Sequence, residues 1–384
     1  SLAVDQYQVQ QDVSRYARSY FPFFSDASSH RPQVFFENAG GSQVAQPVID
    51  AVTESLKYRH RSIIGSKTKE KARECIRRIL GTKGDEPVIL GPNATTLLAT
   101  LADRYVRYGL LHRGDEVILS TENHTANFDP WLQAAKDSGA TIKFWSPYCT
   151  KAGGIQISQR LEDLVTCKTR LVALPHASNV LGQIRDLQSL ASLVKSLSQG
   201  YAHVVVDGVA AVPHYYADLQ HLNHVDWYVI SCHKLFGPHL GALCGNQRGA
   251  VQNFIATSSA GMDDNAHLYK IFESGTVNYE GCAGVVGLGQ YFASLAASAR
   301  GGTRTKAQSS RESCDSLQGR PGELCGEVQS GGRFETFLQD SRLTQEHVKE
   351  VYRMFRILEA PLVTALLQGL GRSKKIRILG HDDA

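Results

Sequence analysis

Val204, Val205 and Val206 form a β-branched run closed by Asp207 and Gly208, and a second run, Tyr228, Val229 and Ile230, leads directly into Ser231, Cys232, His233 and Lys234. Short β-branched runs bounded by glycine specify strands buried on both faces, as in a parallel sheet, rather than helices. Open α/β sheets bind their ligands beyond the carboxyl ends of the strands. An acid and, 27 positions later, an amine are therefore expected at one crevice. Strand-like and helix-like stretches alternate over residues 85–245, so the expected fold class is α/β, with a mainly parallel sheet covered on both faces.

An acid and an amine so placed have a specific chemical use. A lysine amine can form a Schiff base with an aldehyde cofactor, and a carboxylate can keep a pyridine nitrogen protonated so that the ring accepts electrons. Taken singly, each residue has a plainer reading, Asp207 as a loop cap and Lys234 as a solvated lysine, because most such side chains are exposed. The surrounding words weigh against the plainer reading. The block VDGVAAVPHYYADLQHLNHVDWYVISCHKLFGPHLGAL resembles the core of the class V aminotransferase, or cysteine desulfurase-like, family, whose pattern runs VDGAQ, then PH and D, then S-G-H-K-x-x-G-P.

The resemblance implies the aspartate aminotransferase-like fold of pyridoxal-phosphate enzymes of fold type I, and pyridoxal 5'-phosphate as cofactor. It places the cofactor on Lys234, the pyridine nitrogen against Asp207, and the phosphate near Ser231 and His233. One departure stands out: the family's glutamine after the acid is Ala210 here, so its hydrogen bond to the cofactor's ring oxygen is absent or comes from elsewhere.

Other words repeat the family's order. VFFENAGG is expected to be a short strand and a Gly-Gly turn before a helix opened near Pro47; it resembles the family's entry motif, which makes Asn38 a substrate-pocket residue, although Asn38 serves equally as a turn residue. PVILGPNATT leads a strand through Gly91, Pro92 and Asn93 into a helix. Free N–H groups at a helix start suit a phosphate, so Asn93, Ala94 and Thr95 are cradle candidates as well as ordinary caps. ENHTANFDPW resembles the family's E-H-x-A/S-N-x-x-P-W, which makes His124 the histidine that stacks on the ring and can relay protons. The acid normally preceding that histidine is Asn123, with Glu122 beside it. SNVLG matches the family word letter for letter and places Asn179 near the cofactor oxygen and the substrate carboxylate, where an amide can both donate and accept. FESGTVNYE resembles E-x-G-T-x-N, whose threonine crosses a dimer interface to the partner's phosphate. Thr276 is that candidate, and a homodimer with two shared active sites follows.

Bulk properties exclude several classes. The chain has 384 residues, 42% hydrophobic and 20% charged, as expected of a globular protein. A net charge of +4, spread along the sequence, predicts neither nucleic-acid nor membrane binding, and no 18-residue apolar run suggests a span. The eight cysteines include no CxxC pair and are expected to be reduced and mostly buried. His221 and His224 lack a completing carboxylate or thiolate, so no metal is expected. GVVGLGQYF lacks the third glycine of a dinucleotide loop, and no G-x-S-x-G elbow occurs. With no secretory signal pattern, the expected compartment is cytoplasmic.

The expected organisation is an N-terminal arm over 1–30, a large cofactor-binding domain over 31–292, a flexible Ser/Gly/Arg-rich insertion over 293–334, and the start of a small C-terminal α/β domain over 335–384, incomplete against the family. The expected activity is that of a pyridoxal-phosphate-dependent transferase or lyase acting on a small amino acid: a cysteine desulfurase or selenocysteine lyase-like enzyme, or a class V aminotransferase. Cys282, Cys314 and Cys325 occupy no position matching the family's mobile catalytic cysteine. The alternative is a truncated or non-catalytic paralogue that binds cofactor or partners without turnover.

Overall fold

The computed structural model describes residues 13–24, 34–57, 63–151, 154–246, 248–255, 264–299, 343–376 and 378. Its centre is a seven-stranded sheet. In chain order the strands are β1 (Val88–Gly91), β2 (Glu116–Ser120), β3 (Thr141–Trp145), β6 (Thr169–Pro175), β7 (His203–Asp207), β8 (Trp227–Ser231) and β9 (Gly241–Gly245), while β4 (Tyr148–Lys151) and β5 (Gly154–Ile157) form a separate hairpin. Across the sheet the order is β1-β9-β8-β7-β6-β2-β3. The strands β3, β2, β6, β7 and β8 run parallel, and β9 alone is antiparallel to its neighbours β8 and β1. The mainly parallel α/β sheet expected from the sequence is therefore present, and the carboxyl ends of the parallel strands share one edge.

Alternation along each strand explains why both faces need cover. In β7, Val204 and Val206 enter one core with Ile118, Val172, Leu174, Tyr228 and Ile230, whereas Val205 enters the other with Val117, Leu119, Leu171, Ala173 and Val229. The first core is closed by helices α1 (Gln46–Lys57), α2 (Ile63–Leu80), α5 (Leu187–Leu197), α8 (Tyr279–Ala299) and α9 (Gln345–Gly371). The second is closed by α3 (Ala94–Arg107), α4 (Asp129–Ser138), α6 (Arg248–Ile255) and α7 (Asp264–Phe272).

Two peripheral segments are tied to this body. Of the arm, residues 13–24 pack on it: Phe21 is buried and meets Phe236 and Tyr291 edge-on at 5.5 and 5.6 Å. Of the small C-terminal domain, the described residues form one helix, α9. Its first half buries Val348, Val351, Tyr352, Met354 and Phe355, while Leu362, Val363 and Leu366 beyond Pro361 are exposed. Helix α8 continues past residue 292 to Ala299; residues 300–334 of the insertion, and 335–342 after it, lie outside the described residues. One local expectation fails. Residues 34–37 form no strand, and Val34 and Phe36 are 75% and 88% exposed; among the described residues no strand pairs with them.

At the amino end of β7, His203 is buried with Nδ1 2.7 Å from the Tyr105 hydroxyl, and burial lowers its pKa to about 2. His176, at the other end of the sheet, is lowered by burial to about 4. Both are neutral in the folded chain where the unfolded chain would already be protonated, so stability is lost as pH falls below about 6.5. Each should cost about 2 kcal/mol at pH 5 relative to pH 7. Urea titrations at the two pH values should show that loss, and His203→Asn should reduce it.

Candidate active site

Asp207 ends β7, buried, with Oδ1 accepting from the Val209 N–H at 2.9 Å. Burial raises its pKa; the Val209 N–H, His124 and Lys234 each act against that rise. Those last two effects place a carboxylate, an imidazole and an ammonium within electrostatic reach at one strand edge. Lys234 closes a single 3-10 turn, Cys232–Lys234, directly after β8, and is half-buried. The parallel pairing of β7 with β8 brings the ends that carry these two residues to one edge of the sheet.

The floor beneath Asp207 was not anticipated. Tyr228 is fully buried on β8, and its hydroxyl lies 2.6 Å from His176 Nδ1, while the His176 backbone N–H donates to the Asp207 carbonyl at 2.8 Å. Gly208 is required here, because a Cβ at that position would stand 2.2 Å from the Tyr228 ring. Neither contact has a signature in local spacing, since His176 lies 52 residues and Gly208 lies 20 residues from Tyr228.

The lysine loop is laced to the segment following Asn38. Ser42 gives both its N–H and its hydroxyl to the His233 carbonyl at 3.0 Å, and its Oγ accepts from the Phe236 N–H at 2.7 Å. Phe236 carries φ of 62°, a left-handed conformation unfavourable for a bulky residue; these bonds and one from the Ala45 N–H to its carbonyl hold it there. Ser231 Oγ lies 2.8 Å from His233 Nδ1, and the His233 ring stacks on His239 at 4.7 Å. Burial, then His239, then Lys234 lower the His233 pKa, offset in part by the Gly40 backbone. Asn38 lies in the exposed turn 38–40 leading into this strap.

At the start of α3, Asn93 Oδ1 accepts from the Thr96 N–H at 2.8 Å. The cap reading holds, and it leaves the Ala94 and Thr95 amides of the first turn outside the helix ladder. A Cβ on Gly241 would lie 2.5 Å from the Asn93 carbonyl carbon and 2.8 Å from the Ala94 nitrogen, so only glycine lets β9 approach this turn so closely.

His124 is exposed and caps the turn Thr125–Asn127, its Nδ1 accepting from the Ala126 N–H at 3.1 Å. That bond leaves Nε2 to carry the proton of the neutral ring. Asn123, in the place of the family's acid, is structural: it donates to the Ala173 carbonyl at 2.9 Å and accepts from Asn127, which in turn accepts from Trp131. Asn179 is exposed on a loop closed by an Ala177–Ile184 bridge and a bond from the Ser178 N–H to the Gln183 carbonyl at 2.9 Å. Thr276 is exposed after Gly275; nearby Glu273 is pinned by Arg73 at 2.8 Å and by the Leu90 N–H at 2.9 Å. Among the described residues, no hydrogen bond engages the Asn179 or Thr276 side chain, and no group of His, Cys, Asp and Glu could hold a metal ion.

Residues 34–324 match the family model described as aminotransferase class-V. The chain belongs to this family. It is similar to the aminotransferase-like protein FGM3 of Gibberella zeae, 32% identical over 72% of this chain and 67% of that protein. It is also similar to the cysteine desulfurase-like protein ustD of Aspergillus flavus, at 30% over 63% of this chain and 56% of that one. A probable cysteine desulfurase of Halalkalibacterium halodurans is 31% identical over 71% of this chain and 69% of the relative. The chain thus spans from just over half to about two-thirds of the length of these three relatives.

Two solved structures share the fold. The cysteine desulfurase CsdA from Escherichia coli has a TM-score of 0.57 at 22% identity, covering 90% of this chain and 98% of that one, and an apo cysteine desulfurase from Thermococcus onnurineus has 0.58 at 19%, covering 93% and 98%. The family's cofactor is pyridoxal 5'-phosphate. The crevice fits it: Asp207 is a buried carboxylate whose charged form calls for a cation, and Gly241 keeps a backbone-lined turn clear of any Cβ.

Substituting Gly208 by Ala should force the buried Tyr228 ring out of its place against His176, at a cost of about 2–3 kcal/mol. Chemical denaturation of the cofactor-free protein measures this; an unchanged midpoint would contradict the packing described.

Proposed function

We propose that the chain is the cofactor-binding body of a pyridoxal-phosphate enzyme acting on an amino acid, of the cysteine desulfurase, selenocysteine lyase or class V aminotransferase type, with Lys234 and Asp207 at its centre. The observation that carries this reading is the placement of Asp207 and Lys234 at the ends of adjacent parallel strands, with His124 within electrostatic reach of the same carboxylate. When bound, the cofactor supplies an electron sink for charge developing at the substrate's α-carbon.

Each residue then has a definite task. Asp207 holds the proton on the pyridine nitrogen, which the buried carboxylate favours because it gains a cationic partner. Lys234 Nζ would hold the cofactor, and its amine would take and return a proton at the substrate's α-carbon. His124 would stack on the ring and keep it in register. The Asn93, Ala94 and Thr95 turn, with Ser231 and His233, holds the phosphate. Asn179 binds the ring oxygen and the substrate carboxylate, a role enlarged by Ala210 in place of glutamine, and Asn38 lines the substrate side. Thr276 serves the phosphate of a second copy in a homodimer. The division into arm, large domain, insertion and small domain at 30, 292 and 334 goes with this reading.

Desulfuration also needs a mobile thiolate. Burial pushes the Cys232 and Cys282 thiols up to about 12 and those of Cys75 and Cys244 higher still. Cys167 is exposed but precedes β6, at the amino edge of the sheet, opposite Asp207. None of these five cysteines suits that task; proton chemistry at the α-carbon is what Lys234 would supply. Among the described residues no helix is long and apolar enough to cross a membrane.

With pyridoxal phosphate the protein should gain a visible absorption band of lysine-bound cofactor, distinct from that of the free cofactor. The variant Lys234→Ala should lose the band, and persistence of the colour would refute the assignment. Incubation with cysteine, followed by assay of sulfide and alanine against pyruvate, separates desulfuration from other routes. Cofactor binding without turnover of any amino acid would favour the non-catalytic reading.

A further inference from the structure

The wall of the crevice contains a buried ion pair that none of the tasks above uses. Arg185 Nη2 is ion-paired with Glu122 Oε2, and the two side chains are 7% and 10% exposed. Glu122 lies on the loop after β2, two residues before His124. Arg185 follows the bridge that closes the Asn179 loop after β6, and its N–H donates to the His176 carbonyl at 2.9 Å. Its guanidinium also lies 5.3 Å from the ring centroid of Trp145, the last residue of β3. The neighbouring carboxyl ends of β3, β2 and β6 are thus gathered on one guanidinium.

Burial lowers Arg185 only to about 10, so it remains protonated, and a carboxylate is the partner such a buried cation requires. Buried pairs of this kind contribute little net stability compared with apolar packing, but they tolerate few alternative geometries. The carboxylate beside the stacking histidine in sequence is committed to this pair, while Asn123, in the family's acid position, is committed to β6.

We infer that Glu122 and Arg185 are positioning residues. Their ion pair fixes the His124 loop against the Asn179 loop, so that the imidazole on the ring face and the amide at the ring edge keep one mutual geometry. This rests on the cofactor reading given above.

The test compares the wild type with Glu122→Gln, Arg185→Gln, the double variant, and Asp226→Asn. The last breaks an equally buried pair, Lys195 Nζ to Asp226 Oδ2 at 2.8 Å, at the amino edge of the sheet, far from Asp207. Three readouts are taken: the melting temperature without cofactor, the pyridoxal phosphate dissociation constant by fluorescence titration, and the visible circular dichroism of the bound cofactor. Either single variant should weaken cofactor binding about tenfold or more and change the dichroic band, because small misplacements of positioning groups are costly. The double variant should be no worse than the singles. Asp226→Asn should lower the melting temperature while leaving binding and dichroism unchanged. If a glutamine variant does not fold, Arg185→Lys, which keeps the charge but loses the planar fork, should show the same dichroic change to a lesser degree. Variants that melt early but bind and rotate light as the wild type does would overturn the positioning role alone. A wild type that binds no pyridoxal phosphate would overturn the cofactor reading and this role together.

Discussion

Everything at the crevice depends on one burial: a carboxylate, Asp207, at the end of a strand whose five residues are all buried. Removing a charge from water is costly unless hydrogen bonds or opposite charges replace the solvent. Here one backbone N–H is close by, and a histidine and a lysine lie within electrostatic reach. Burial still outweighs them, so the charged carboxylate would gain from a further cation. The sheet creates this condition, because a parallel strand covered on both faces can expose only its end.

Close backbone approach is the second requirement. Gly208 makes room for the Tyr228 ring below Asp207, and Gly241 lets β9 touch the first turn of α3. Phe236 stores strain in the lysine loop, and Ser42 holds it. The features are alike in cause: a loop that must present groups to a ligand is defined by contacts from segments distant in the chain. The ion pair of Glu122 and Arg185 extends the pattern to the loops after β2 and β6.

The strand ends, turns and helix starts that carry the candidate residues were legible in the sequence. The valine run, the lysine loop, the cap at Asn93 and the turns of His124 and Asn179 are local words, and local words specify strand ends and helix starts where groups must sit. What stayed hidden was non-local. Ser42 and His233 are 191 residues apart, and His176 and Tyr228 are 52 apart, so no periodicity or spacing connects them. The strand expected at Val34–Glu37 failed for the same reason in reverse: its β-branched and aromatic residues suit a strand, but strands form only against partners, and Phe36 has none among the described residues.

By itself, then, the sequence determined the α/β alternation, the order of the elements and the identity of the polar groups at their ends, because these follow from side-chain periodicity and cap chemistry within a few residues. Only the tertiary structure decided that β9 runs antiparallel, that Asn123 is a strut rather than a substitute acid, that Cys232 beside the lysine is too deeply buried to act as a thiolate, and that Glu122 faces Arg185 instead of His124. Those outcomes depend on which surfaces meet, and burial and partner geometry at a meeting surface are properties of the packed whole.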